Sequence, residues 1–149
     1  MLLRRDRALL ALDLVLDIAF HAGRGGEVTG AAEVAERLGA ARRGIEPVLQ
    51  ALVRAGILDS LRGPRGGYRM ARAPRDVSLA EVVEAVRDAP GEAPAPAGDL
   101  AAAVTAPLWA GLEAALAERL GAQSVEDLLK QAARAGLRRP VSEPLHFSI

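Results

Sequence analysis

The chain has 149 residues, half of them apolar, 3% aromatic and 26% charged, with a formal net charge of zero. That length holds one domain, or one domain with an appended helix. Cysteine is absent, which excludes disulfides, thiolate metal sites and nucleophilic cysteine chemistry. The two histidines, His21 and His146, have no spaced partner for a metal.

Leu, Val, Ile and Ala must build the core, and Ala and Leu favour helices. No run of eighteen apolar residues is present, so no membrane span is expected. The start, Met1-Leu2-Leu3-Arg4-Arg5-Asp6-Arg7, lacks the order of a secretory signal. A cytoplasmic protein is the expectation. The zero net charge hides an asymmetry. Residues 1–75 carry thirteen arginines against eight acids, and residues 76–149 carry six basic groups against eleven acids. Within 42–75 the balance is eight to two, so one end of the molecule is suited to phosphate.

In chain order, Leu9 to Ala19 supply the apolar surface of a first helix ending near Gly23, with His21 in its last turn. There a partly protonated imidazole suits the helix dipole. Asp6, Asp13 and Asp17 read as solvated charges on it. Gly23 to Gly26 read as a loop, and Glu27-Val28 as a short strand. Thr29 is the expected cap of a second helix carrying Ala32, Val34, Ala35 and Leu38, closed by Gly39. A turn leads to a third helix, roughly Arg43 to Ala55, with Ile45, Val48, Leu49, Leu52 and Val53 on one face and Gly56 beyond it. Pro47 is tolerated in a first turn, which implies a late start near Gly44. Two helices around a glycine turn make a helix-turn-helix unit.

Next come two short strands, Ala55 to Leu58 and Tyr68 to Ala71, around the hairpin Arg62-Gly63-Pro64-Arg65-Gly66-Gly67. Glycine and proline shape the turn and leave Arg62 and Arg65 on a narrow tip. Such a tip is a wing that can reach a minor groove. Tyr68 reads as part of the wing's core. Ser78 and Glu81 form a capping box for a fourth helix with Leu79, Val82, Val83 and Val86 inside.

Pro90 to Gly98 read as a flexible loop. Leu100, Val104, Leu108, Leu112, Leu116 and Leu120 recur every fourth residue on a long helix from about Asp99 to Leu120, about 30 Å at 1.5 Å per residue. Pro107 should kink it or delay its start. Trp109 reads as a buried anchor beside the stripe. No intrachain partner of equal length is evident, so a second copy is the simplest cover. Ser124 caps a short last helix, and Arg138 to Ile149 read as a disordered or loosely docked tail. The expected division is a winged helix-turn-helix unit over 1–88, a loop over 89–98, a dimerisation helix with a short following helix over 99–130, and a tail over 131–149. The fold class is thus mainly α with a small β-wing.

On the third helix Arg42 and Arg43 can meet guanine or phosphate, Gln50 adenine, and Glu46 cytosine. The competing reading is an ordinary solvated face. With the adjacent basic tip, the expected DNA-contacting set is Arg42, Arg43, Glu46, Gln50, Arg62, Arg65 and Arg69. Arg72 and Arg75 add affinity without specificity. No catalytic constellation is present. Gly63-Pro64-Arg65-Gly66-Gly67 lacks the spacing and lysine of a nucleotide loop. The alternative to a DNA binder is a protein-binding adaptor on a winged-helix scaffold, contacting its partner through the acidic half.

Several segments resemble one family in register. These are Val34-Ala35-Glu36-Arg37-Leu38-Gly39, Leu52 to Leu58, Arg62 to Tyr68, Asp76-Val77-Ser78-Leu79 with Val82, Val83, Ala85 and Val86, and Leu108-Trp109. They resemble the Rrf-two family of bacterial winged-helix transcription regulators, which includes IscR-like iron–sulfur sensors, from about Leu3 to Leu129. The resemblance implies a recognition helix starting at Ala41 to Gly44, with Glu46 and the wing Arg62 as DNA-reading residues. It implies a homodimer held by the stripe Leu100, Val104, Leu108, Trp109, Leu112 and Leu116, bound to double-stranded DNA at a pseudo-palindromic operator, most simply as a repressor. The chain departs from the family at Ala41 and Gly44, where serine and an aromatic are usual. Ala103 and Ala106 stand where cluster-binding members have the last cysteine and a histidine. A cluster-free branch without a cofactor is therefore expected. Its input would be an unidentified small molecule near the proline-rich loop, a protein partner, or simple autorepression.

Overall fold

The computed structural model describes residues 5–22, 26–87 and 98–140. Helix α1 (Arg5–His21) lies at the centre. Its buried residues Ala8, Ala11, Leu14, Val15, Ile18 and Ala19 follow the three- and four-residue spacing of one helical face. That face packs against α2 (Ala31–Leu38), α3 (Arg42–Arg54), α4 (Leu79–Ala85), α6 (Val125–Arg134) and strand β2 (Gly67–Met70). Burying a residue such as Leu14 or Ile18, both fully enclosed, contributes roughly 1.5–3 kcal/mol.

Gly39 takes a left-handed conformation and closes α2 as expected, donating to Ala35 and Glu36 carbonyls. Gly30, not Thr29, precedes α2, and no side chain caps it. Thr29 instead forms a single antiparallel bridge with Tyr68, exchanging N–H···O bonds of 2.9 and 2.8 Å. The strand expected at Glu27-Val28 is reduced to that one pair. Helix α3 starts at Arg42, earlier than Pro47 implied. The proline therefore sits inside the helix, on its exposed side, and the apolar face of Ile45, Val48, Leu49 and Leu52 holds the segment helical despite the missing donor. Beyond α3, Gly56 donates to Val53 and Ile57 to Leu52, a paired closure that satisfies the last carbonyls.

Strand β1 (Leu58–Leu61) pairs antiparallel with β2, with Leu58 opposite Met70 and Leu61 opposite Gly67. The strands thus begin later on one side, and earlier on the other, than the apolar runs indicated. At the tip, Gly66 N–H donates to Gly63 O at 2.9 Å, a turn with Pro64 at the position that favours its fixed φ. Gly66 and Gly67 are required by close approach. A Cβ on Gly67 would stand 2.2 Å from Thr29 O, and one on Gly66 2.3 Å from Leu61 O.

A short 3₁₀ turn, Pro74–Asp76, joins β2 to α4. The capping box of Ser78 and Glu81 is present, and a second one, Ser124 with Asp127, starts α6. The two starts are sewn together by Leu79 N–H to Gln123 O and Val125 N–H to Val77 O, both 2.9 Å. Residues 90–97 of the expected proline-rich loop, residues 23–25 of the glycine loop and residues 141–149 of the tail lie outside the described residues. Arg139 is described, and it donates to Ala19 O at 3.1 Å.

The long helix runs through Pro107 without being delayed. A wide turn over Ala101–Thr105, bonded five residues apart, precedes α5 (Ala106–Gly121) and includes Ala106 N–H to Ala101 O. Widening the helix makes room for the proline ring and its missing donor. Leu120 packs against the core and Leu116 is half-buried, whereas Leu100, Val104, Leu108 and Leu112 are exposed. Trp109 is 43% exposed in the single chain, so within one copy it is not the buried anchor expected from sequence.

Two outcomes follow for stability. Gly67→Ala must break the Thr29–Tyr68 bridge and should cost about 2 kcal/mol or more, whereas Gly44→Ala, with nothing within 4 Å of its Cβ, should be neutral or stabilising by up to about 1 kcal/mol; urea denaturation of both variants checks this. Glu81 is held below its ordinary 4.5, first by the Ser78 backbone N–H and then by Arg72. A depressed carboxylate stabilises above its unfolded value and loses that contribution as pH falls through the folded one. Glu81→Gln should therefore be less stable than the parent at neutral pH, and the gap should narrow and then close as pH falls below 4.5 through the depressed folded value, in melts across a pH series.

Candidate nucleic-acid interface

Helix α3 presents two faces. Ile45, Val48, Leu49 and Leu52 point into the core, and Arg42, Arg43, Glu46 and Gln50 are exposed. Arg42, Glu46 and Gln50 are each four residues apart, so they share one stripe. Arg42 Nε lies 3.2 Å from Glu46 Oε1, an exposed pair of small energetic weight that a base or phosphate can displace.

The N-terminus of α3 differs from those of α4 and α6. Its cap is Ala41, no side chain caps it, and its first turn has no acidic residue. Helices α4 and α6 start on capping boxes with carboxylates in the first turn. The uncapped N–H groups of α3, flanked by Arg42 and Arg43, point their positive dipole end outward, the arrangement that binds phosphate.

The wing stands beside this helix. Strand β1 packs on α3, and Gln50 Nε2 lies 3.4 Å from Tyr68 Oη. Tyr68 is half-buried against the core, as expected. Arg62 and Arg65 are exposed at the tip, and among the described residues neither has an ion-pair partner. Arg69 lies opposite Asp59 and pairs with it at 3.7 Å. Arg72 is engaged within the chain. It holds Glu81 at 2.8 Å and donates to Asp76 O at 3.2 Å, bracing the link from wing to α4. Arg75 lies 3.9 Å from Asp76.

The residues that position the wing escaped the sequence reading. Asp17 is not a solvated charge. Its side chain is 8% exposed, and both its oxygens accept from Arg37, Nε at 3.0 and 3.1 Å and Nη2 at 2.7 Å. Arg37 also donates to Thr29 Oγ1 at 2.9 Å. The hydrogen bonds to Asp17 raise the Arg37 guanidinium above its ordinary value. His21, at the end of α1, lies 3.4 Å from the same carboxylate. No local pattern signals the Asp17–Arg37 pair, because twenty residues separate its members.

A helix-turn-helix followed by a two-stranded wing, with a basic helix start and a basic tip, defines a winged-helix DNA-binding transcription regulator. The chain belongs to the Rrf2 family: residues 5–131 match the model of that family, described as an iron-dependent transcriptional regulator. It is 30% identical over 131 residues to the HTH-type transcriptional regulator IscR of Cereibacter sphaeroides, covering 83% of this chain and 84% of the relative. It is 31% identical to IscR of Xenorhabdus nematophila, covering 80% and 74%. Among solved structures, T. potens IscR superposes with a TM-score of 0.71 at 25% identity over 90% of both chains. CymR, the global cysteine regulator of B. subtilis, shares the fold, with a TM-score of 0.67 at 23% identity over 88% of this chain and 98% of CymR. These relatives are regulators of transcription, not enzymes. Among the described residues no helix is long and apolar enough to cross a membrane.

The family description names iron, and among the described residues the donor set does not fit it. No cysteine exists in the sequence. Among the described residues no three of His, Cys, Asp and Glu converge. Ala103 and Ala106 offer no donor at the start of the long helix.

Removing either partner of the Asp17–Arg37 pair leaves an uncompensated group. Arg37→Ala, which strands the more enclosed carboxylate, should cost about 2–3 kcal/mol. A double-mutant cycle with Asp17→Asn should show the two losses to be strongly non-additive, and additive losses would deny the coupling.

Proposed function

We propose that the protein is a homodimeric, sequence-specific repressor that works in the cytoplasm without an iron–sulfur cluster. The observation that carries this reading is the uncapped, acid-free start of α3 beside a wing tip whose arginines have no ion-pair partner among the described residues. Two copies of α3 would enter successive major grooves about one helical turn apart on a pseudo-palindromic site. Arg42, Arg43, Glu46 and Gln50 meet base edges and phosphates. Arg62, with Arg65, enters the narrow minor groove, where negative potential is enhanced. Arg69 adds a phosphate contact by exchanging its exposed partner Asp59.

The dimer reading rests on α5 and the wide turn before it. Leu100 is 81% exposed, Leu108 61% and Leu112 48%. With Val104 and Trp109 they form an apolar surface of the kind that marks an interaction site. Burial against a second copy, with Leu116 at its edge, gives each copy of Trp109 the cover it lacks alone. The cluster-free reading rests on the missing donors. A dimer seated across an operator blocks transcription by occupancy, and this supports repression as the sign of regulation.

Fragments of the host genome selected by the purified protein supply the operator. On it, Arg62→Ala should weaken binding by about 1–3 kcal/mol in a gel-shift titration, and unchanged affinity would remove the wing from the interface. Leu108→Glu should shift the protein from dimer to monomer in sedimentation at micromolar concentration, and an unshifted species would place the dimer contact elsewhere.

A further inference from the structure

A cleft of about 570 Å³ opens between α6, the last turn of α1 and the 3₁₀ turn after the wing. Its size lies within the roughly 300–1,000 Å³ of small-molecule sites. Phe20, Leu129 and Leu137 give it apolar walls, and Lys130, Arg138 and Arg139 give it a cationic side. The acidic residue on its lining, Glu126, is paired with Lys130 at 3.3 Å. Arg139 is steadied by its bond to Ala19 O. Arg138 is exposed and has no carboxylate partner among the described residues.

With Lys130 and Glu126 cancelling one another, two guanidinium groups remain over apolar walls, complementary to an amphipathic anion. We propose that this cleft binds an organic carboxylate with an apolar body. The carboxylate head lies on the guanidinium groups of Arg138 and Arg139, whose planar donors match it in pairs. The body lies against Phe20, Leu129 and Leu137. The cleft joins a ligand-sized volume to a matched charge. The shallower cleft beside α4 is lined by Glu81 and Glu84, each already paired with an arginine.

The position gives such a ligand a route to the DNA-facing side. Pro74, on the cleft wall, opens the link from β2 to α4. Phe20 shares the end of α1 with Asp17 and with His21, against whose ring it packs edge-on at 5.1 Å. A ligand that wedges α6 from this end of α1 therefore bears on the helix that holds Arg37 and the wing. This coupling to DNA rests on the DNA-binding reading above, whereas binding in the cleft does not.

Calorimetric titration of the full chain without DNA tests the site. The probes are phenylbutyrate, octanoate and indolepropionate, with neutral phenylbutanol as control. At least one carboxylate should bind saturably at one site per chain, and the alcohol should not. Arg138→Glu removes the head contact, and Ala133→Trp, at an exposed lining position, fills the cleft without touching the core. Each should weaken binding by about tenfold or more, with the parent's melting temperature retained. No saturable binding of any carboxylate below about 1 mM, or parental affinity in both variants, overturns the proposal. Because no DNA is present, that failure is distinct from a failure to bind an operator.

Discussion

The place of the wing against α1 and α2 depends on one anchored residue, Thr29. Its backbone exchanges two hydrogen bonds with Tyr68 at the base of β2, and its hydroxyl accepts from Arg37 on α2. Arg37 in turn grips Asp17 on α1. Helix α1, helix α2 and the wing are thereby fixed to one another by one guanidinium and one backbone pair. The Asp17 carboxylate is largely enclosed while Arg37 keeps contact with solvent, which limits the desolvation cost of the pair. Gly67 permits the approach, since any side chain there would strike Thr29 O. The hairpin therefore cannot slide along its neighbour, and the tip keeps its place beside α3.

Charge is distributed to the same end. Helices α4 and α6 commit their first-turn carboxylates and serines to their own N–H groups, which stabilises them and leaves nothing for an anion. Helix α3 starts without such provision. A helix start that forgoes local stabilisation fits a partner that supplies the negative charge. Several acidic residues of the C-terminal half are drawn into short-range pairs, such as Glu84 with Arg87 and Glu126 with Lys130.

What the sequence makes legible is what is local. Capping boxes need residues three apart, and Ser78 with Glu81 and the Ser124 cap were readable for that reason. So were Gly39 and Gly56 beyond their helices, the core face of α3, and the turn at Gly63 to Gly66. Pro47 misled because a proline's effect depends on its surroundings, whereas the distortion expected at Pro107 is present as the wide turn over Ala101–Thr105. At Pro47 the packed face of α3 outweighs a missing hydrogen bond, and at Pro107 a wide turn absorbs the ring. Asp17 looked like one of several solvated acids, because its partner lies twenty residues away on another helix. Trp109 looked like a core residue because aromatic size implies burial, yet a single chain leaves it partly bare. The arginines of 42–75 are alike in composition and different in use. Arg72 braces the chain, and Arg62 and Arg65 remain available.

The central claim is that the start of α3 and the wing tip together face the phosphates of a duplex. Fluorescence anisotropy of the full chain against mixed genomic DNA fragments, repeated between about 50 and 200 mM salt, tests it most directly. The account predicts binding at low salt whose logarithm falls steeply and linearly with the logarithm of salt concentration, as phosphate neutralisation by several arginines requires. Absence of binding even at the lowest salt, or an affinity that salt does not alter, would contradict it.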